Sequence, residues 1–138
     1  MSMSEMGRKH VVRDIFERGW NRQEFDGLES YLSDEVTFNY RGGQFQTGLA
    51  ELKDLVSMWR QAFPDLEFTI LGIAAEGDLV SINLRLSGTQ AGPWKDRPDT
   101  GRSFVIDEMM FFRFEGSQIV ELWEVMDEYE MNRQLSAD

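Results

Sequence analysis

The 138-residue chain contains no cysteine and a single histidine, His10. These absences exclude disulfides, thiolate metal sites and any metal centre that needs several histidines from one chain. A Mg²⁺ or Ca²⁺ site made only of carboxylates stays open, although the sequence has no loop of the EF-hand type. We interpret His10 as an ordinary surface residue on a polar face of the first predicted helix.

Basic residues and long apolar runs are also scarce. With 14 Lys and Arg against 25 Asp and Glu, the net charge is -11, which argues against nucleic acid as a partner because phosphate binding needs clustered cations. No segment approaches the roughly 18 to 20 apolar residues of a membrane span, and "MSMSEMGRKHVV" has no apolar core of a signal peptide. We therefore expect a soluble, cytoplasmic protein without a membrane partner.

The apolar content of 41%, with 10 Phe and 4 Trp, is that of a globular protein, and the length fits one domain over residues 1–138. Apolar periodicity predicts helices over residues 5–20 and 47–63, the second with Thr47 as a possible cap and Pro64 just beyond its end. A short helix is expected at "DGLESYL", capped by Asp26, and a closing helix at "YEMNRQL".

The rest of the chain reads as strands. They are predicted at "EVTFNY", "LEFTILGIAAE", "LVSINLRLSGTQ", "SFVIDEMMFFRFE" and "QIVELWEVMDE". Helices followed by a meander of long antiparallel strands indicate an α+β fold. Because long strands in a small sheet coil strongly, we expect a cone-shaped, strongly curved, mostly antiparallel sheet. The three N-terminal helices should pack on its concave face, with a ligand pocket at its open mouth.

Two glutamates fall on the strand faces predicted to line that pocket. Alternation places Glu108 and Met110 inward on the fourth of these strands, together with Phe104, Ile106, Phe112 and Phe114. On the last strand it places Glu124 inward with Val120, Leu122 and Met126, and leaves Glu121 and Asp127 outside. The two-residue "GS" loop implies partners that sum to about 233, so Glu108 should lie opposite Val125 and diagonal to Glu124.

Two carboxyls facing one apolar cavity are a pattern typical of acid/base chemistry. Desolvation and like charge both raise a carboxyl pKa from about 4.3 towards the range of 6 to 7 that suits proton transfer at neutral pH. One glutamate could then hold a proton while the other acts as a base.

Structural interpretations of the same residues stay open. The glutamates could be solvated at the sheet's rim or paired with Arg85 or Arg113, and Asp107 is expected on the outer face with Glu121 and Asp127. The Met and Phe side chains could be plain core. Alternatively, Met58, Met109, Met110 and Met126 would form an adaptable wall for a flat apolar ligand.

The chain resembles the SnoaL-like polyketide cyclases of the nuclear-transport-factor-2-like superfamily over almost its whole length. The resemblance rests on "WNRQEFDGLESYLSDEV", "AFPDLEF", "AEGDLVSINLRLSGTQAG", "RPDTGR" and "FFRFEGSQIVELWEVMDEYEMNRQL", which occur in the family's order. It implies an α+β cone, a homodimer through the outer face of the sheet, and no cofactor. It also implies intramolecular aldol cyclisation of a polyketide ester by an acid/base aspartate.

The resemblance places that acidic position at Glu124. Glu108 and Met110 fall where the cyclases have glutamine and histidine, and Asn39 matches a polar pocket position. Our first hypothesis is therefore an enzyme acting on a small hydrophobic, carbonyl-bearing substrate. Glu124 would move the proton, and a protonated Glu108 or Asn39 would steady the enolate. The remaining predicted substrate-binding residues are Trp59, Phe63, Met110, Phe112 and Met126.

Two alternatives belong to other classes. A protein with the same fold could be a non-catalytic, dimeric small-molecule binder. Ordinary pKa values at Glu108 and Glu124 would favour this alternative. It could also be a hydratase or epoxide hydrolase, with Arg85 and Asp107 around a water, if the assignment of the strand faces were inverted.

Overall fold

The computed structural model describes residues 3–136, so residues 1, 2, 137 and 138 of the predicted domain lie outside the described residues. The helices are α1 (Glu5–Asp14), which continues as a π-helical segment over Ile15–Trp20, α2 (Leu49–Ala62) and α3 (Glu128–Ser136). The strands are β1 (Leu32–Tyr40), β2 (Gly43–Thr47), β3 (Glu67–Glu76), β4 (Leu79–Thr89), β5 (Ser103–Glu115) and β6 (Gln118–Met126). No helix within residues 3–136 is long and apolar enough to cross a membrane.

The six strands form one mixed sheet in the order β2-β1-β6-β5-β4-β3. All neighbours are antiparallel except β1 and β6, which run parallel and bring the N-terminal hairpin beside the C-terminal strand. The predicted α+β class is confirmed, with three helices and a six-stranded sheet. The structure does not show the strong curvature that the long strands led us to expect.

The segment between α1 and α2 differs most from the prediction. "DGLESYL" forms only a single 3-10 turn, Glu29–Tyr31, because β1 already begins at Leu32 and the side chain of Asp26 caps no helix. After β1 the chain turns at Arg41 and Gly42, both with positive φ, and forms the short strand β2, which the sequence analysis missed. Helix α2 begins after Gly48 rather than at Thr47.

The core lies between the helices and one face of the sheet. Buried side chains of the two long helices pack in one core with the alternating apolar residues of β4 and β5. They are Val11, Val12, Ile15 and Phe16 from the first helix and Val56 and Trp59 from α2. Phe16 contacts Phe68 and Phe112, with ring centroids 5.3 and 6.1 Å apart. On β4 and β5 every second residue is buried, as predicted from the alternation.

A β-bulge in β6 sets the phase of the last strand. Next to the turn, Phe114 pairs with Ile119 and Glu115 with Gln118, in the register expected for a two-residue loop. Val120 is then an extra residue, so that Arg113 pairs with Glu121, and the pairs beyond it are shifted by one. Ile119, rather than Val120, is consequently buried in the core.

Because of the bulge, the pairing of Glu108 differs from the predicted one. Its partner is Met126, and Glu124 lies opposite Met110. Directly paired residues share a face of the sheet. Without the bulge, Glu108 would pair with Val125, which is 74% exposed and lies on the other face of β6 in the structure. With the bulge, Glu108 and Glu124 lie diagonally on the same face.

Candidate active site

A cavity of about 460 Å³ lies between the helices and the sheet. Three tryptophans line it, Trp20 from the first helix, Trp59 from α2 and Trp94 from the 90–102 loop. Sheet residues Leu86, Met110, Phe112, Leu122 and Met126 add an apolar wall. A cavity of this size and composition suits a small, largely apolar ligand.

Glu108 and Glu124 lie in the wall of this cavity. Glu108 is only 3% exposed, since it is surrounded by its neighbours on β4 and β6, and Glu124 is half-buried on β6. A hydrogen bond between the two carboxyls contributes to the pKa shift of each, and such a bond requires one carboxyl to be protonated. The pair is therefore suited to hold one proton in the wall of an apolar cavity.

The environment decides which carboxyl holds that proton. Burial raises the pKa of Glu108 well above its ordinary value, and the charge of Glu124 and their shared hydrogen bond raise it further. Burial also raises the pKa of Glu124, as does the charge of Glu128, but the hydrogen bond from Glu108 acts in the opposite direction. Glu108 is the more deeply buried of the two, so a single proton shared by the pair is held preferentially by Glu108, with Glu124 as the acceptor.

A second polar group at the cavity wall was not found by the sequence analysis. The hydroxyl of Tyr40 donates a hydrogen bond to Glu128, whose other contacts are Arg41 at 3.0 Å and Lys95 at 3.8 Å. Tyr40, Lys95 and Glu128 all line the cavity. The parallel pairing of β1 with β6 produces this arrangement, because it sets Tyr40 directly beside Glu124. A sequence motif does not reveal such a pairing.

The structure brings most of the predicted site residues together. Trp59, Met110, Phe112 and Met126 line the cavity with the two glutamates, while their roles towards a substrate stay predictions. Among the methionines expected in the wall, Met58 also lies there. Met109 does not, since it is 60% exposed on the other face of β5.

Asn39 and Phe63 are not placed at the cavity. Asn39 lies on the opposite face of β1, where its side-chain amide donates to Glu121 and to the carbonyl of Leu122, each at 3.0 Å. The alternation of β1 points Phe38 and Tyr40 to the cavity instead. Phe63 is fully buried and packs on Trp94 and Phe104, so it supports the wall from behind.

The outer face of the sheet carries the other predicted ionic residues. Arg85 and Asp107 form an ion pair at 3.0 Å and are about half exposed. Glu121 pairs with Arg113 at 3.2 Å. The strand faces are therefore not inverted, and the Arg85–Asp107 set required for the hydratase alternative does not reach the cavity. His10 is 73% exposed, in agreement with a surface role. Among residues 3–136, no group of three or more His, Cys, Asp or Glu side chains could hold a metal ion.

A helix-covered sheet face that encloses an apolar cavity with two carboxyls in its wall defines an α+β protein with a candidate site for a small molecule. The model of the SnoaL-like polyketide cyclase family matches residues 10–135, and the chain belongs to this family. No curated protein matches the chain in sequence.

Solved structures support the fold over the whole chain. TsrD from Streptomyces laurentii has a TM-score of 0.84 at 22% identity, with 99% of this chain and all of that chain covered. AclR from Streptomyces galilaeus, a proposed hydroxylase, has a TM-score of 0.83 at 23% identity and 96% and 97% coverage. A SnoaL-like polyketide cyclase from Agrobacterium tumefaciens C58 has a TM-score of 0.75 at 25% identity and 97% and 100% coverage.

Proposed function

We propose that this protein is an acid/base enzyme acting on a small, largely apolar substrate that bears a carbonyl group. The reaction would be an aldol cyclisation of the polyketide cyclase type or a related isomerisation. The observation that supports it best is the hydrogen-bonded carboxyl pair Glu108 and Glu124 in the wall of an apolar cavity, with both pKa values raised.

Enolate chemistry needs a base and a partner for the oxygen that becomes negative. Glu124, the acceptor of the pair, removes a proton from the carbon next to the substrate carbonyl. Glu108, the donor, turns its hydrogen bond from Glu124 to the carbonyl oxygen and stabilises the enolate. The enolate then attacks a second carbonyl in the same molecule, whose oxygen takes the proton from Glu124, or it takes that proton back from Glu124 at another carbon.

The proposed roles of Glu108 and Glu124 do not require a histidine. Met110 lies directly opposite Glu124 and offers no strong hydrogen bond, so Glu108 is the proposed hydrogen-bond donor to the enolate oxygen. The raised pKa of Glu124 strengthens it as a base, while the hydrogen bond from Glu108 keeps it able to ionise.

The reaction can be tested without knowing the substrate. In D₂O, the protein should accelerate the exchange of the α-hydrogens of 2-tetralone, a bicyclic ketone, for deuterium, as followed by ¹H NMR. Glu124→Gln keeps the shape and removes the base, so the protein-dependent rate should fall by about 100-fold or more. Glu115→Gln is the matched control, because Glu115 is 71% exposed in its side chain at the far end of β5.

Exchange that is equally fast in Glu124→Gln and wild type would refute the role of Glu124. A titration of the ¹³C-labelled glutamate carboxyls separates the enzyme from the non-catalytic binder. Raised pKa values at both sites support the proposal, whereas ordinary values near 4.5 together with tight 2-tetralone binding and no exchange support the binder.

A further inference from the structure

Two sets of interacting polar groups line the cavity, apart from Gln46, Thr47 and Glu51. One is the carboxyl pair Glu108 and Glu124. The other, which we name the mouth group, consists of Tyr40, Lys95 and Glu128. The proposed reaction uses the first set only, so the mouth group needs a role of its own.

Tyr40 contributes a hydrogen-bond acceptor to the cavity. Its hydroxyl proton is directed to Glu128, which leaves the oxygen's lone pairs for another donor. Burial and the neighbouring charges of Glu128 and Glu124 raise its pKa, so the hydroxyl stays protonated and neutral. Tyr40 is the direct strand neighbour of Glu124 and both line the cavity, so one ligand can contact both side chains.

Lys95 contributes donors at the same place. Its ammonium lies 3.8 Å from Glu128 and 5.4 Å from the centre of the Trp94 ring, and its side chain is 57% exposed. An ammonium has three N–H bonds, so two such contacts leave at least one for a ligand. The backbone of Lys95 has φ of 52°, a conformation that costs energy in a non-glycine residue.

The charges around the mouth group favour a neutral ligand group. Glu128 pairs with Arg41 at 3.0 Å as well as with Lys95, and Glu51 and Glu124 also line the cavity. With Glu124 ionised, the two cations are outnumbered by three carboxylates, which disfavours a ligand anion. A hydroxyl group, which both donates and accepts a hydrogen bond, matches the Tyr40 oxygen and the Lys95 ammonium.

We propose that the mouth group is a second binding subsite of this cavity, which takes a neutral hydroxyl group of the substrate. The inference rests on the proposed function in treating the cavity as the substrate site. It adds the substrate class, a largely apolar molecule with a carbonyl at the carboxyl pair and a hydroxyl at the mouth. Tyr40 and Lys95 are its specificity-determining residues, and Glu128 is the positioning residue that orients both.

The test compares 2-naphthol with 2-methoxynaphthalene, which has the same rings but cannot donate a hydrogen bond. Binding is followed by the ¹H–¹⁵N signals of the tryptophan indoles. Trp20, Trp59 and Trp94 line the cavity, while Trp123 pairs with Phe111 on the outer face and serves as the internal reference. The wild type should bind 2-naphthol about tenfold more tightly than 2-methoxynaphthalene.

The variants assign this preference to the mouth group. In Tyr40→Phe the preference should fall to about threefold or less, with 2-methoxynaphthalene binding unchanged. Lys95→Met should weaken the binding of both ligands, because the oxygen of each accepts a hydrogen bond from the ammonium. Tyr31→Phe is the matched control, since it also removes a tyrosine hydroxyl but does not line the cavity. An unchanged Trp123 signal and urea midpoint show that each variant is folded.

Three results would overturn the subsite: no binding of 2-naphthol to the wild type, an unchanged preference in Tyr40→Phe together with unchanged binding of both ligands in Lys95→Met, or tighter binding of the anion 2-naphthoate than of 2-naphthol. Glu124→Gln separates this proposal from the proposed function. If the subsite exists, that variant keeps the 2-naphthol preference whether or not 2-tetralone exchange depends on Glu124.

Discussion

Replacing Glu108 by glutamine should stabilise the protein at neutral pH, by an amount that grows with pH. Glutamine has nearly the shape of a protonated glutamate, and its amide can still donate a hydrogen bond to Glu124. It never has to carry a charge in this position, where the side chain is only 3% exposed. The wild type, in contrast, must either keep a proton on Glu108 or bury its charge.

The sign follows from the direction of the pKa shift. Because the folded-state pKa of Glu108 is raised above its ordinary value of 4.5, the folded protein holds a proton that the unfolded chain has already released. Between these two pKa values, folding takes up a proton, so the free energy of unfolding of the wild type falls as pH rises. The loss is about 1.4 kcal/mol for each pH unit in that window, and it stops once pH exceeds the folded-state pKa.

The assay is urea unfolding of wild type and Glu108→Gln at pH 5, 6, 7 and 8. The free energy of unfolding of the variant minus that of the wild type should increase with pH and then level off, and the pH at which it levels off measures the folded-state pKa. Glu115→Gln, at an exposed position, should show no such slope. A difference that stays constant from pH 5 to 8, or a variant less stable than the wild type throughout, would refute the reasoning about this burial.

Two further predictions concern other parts of the molecule. The side-chain amide of Gln90 is buried and donates hydrogen bonds to the carbonyls of Gly92 and Pro98. Gln90→Ala should therefore lower the free energy of unfolding by about 2 to 3 kcal/mol in urea titrations and broaden the Trp94 indole signal. An unchanged urea midpoint would contradict this prediction. We also propose that a second copy of the chain covers the outer face of the sheet, whose exposed apolar residues include Met109 and Val125. The double variant Met109→Asp, Val125→Asp should then turn a dimer into a monomer in size-exclusion chromatography, whereas a monomeric wild type would contradict the proposal.

Local pattern was enough to predict much of this fold. The alternation in β4 and β5 is regular, and it correctly placed Glu108 and Met110 on the helix-covered face. The apolar spacing of α2 likewise placed Trp59 in the interior. In these elements each residue's burial depends on its own periodic position, which the sequence displays directly.

Features that depend on distant segments could not be predicted in this way. The parallel pairing of β1 with β6 joins residues more than 80 positions apart, and without it Tyr40 has no visible relation to Glu124 or Glu128. Asn39 was expected at the pocket because of the resemblance, but the phase of β1 turns it outward. The short strand β2 has few apolar residues, since it lies at the sheet's edge, and it leaves little trace in the sequence.

The extra residue Val120 bears on how this hairpin is compared with its relatives. Deleting it would leave Arg113 opposite Glu121 and restore an ordinary ladder, with Glu124 still facing the cavity. The hairpin can thus differ in length by one residue at this point while the carboxyl pair stays in place. We expect that one-residue gaps between related sequences belong at Val120, and that a gap placed beyond Glu124 would match Glu124 to a residue of the opposite face.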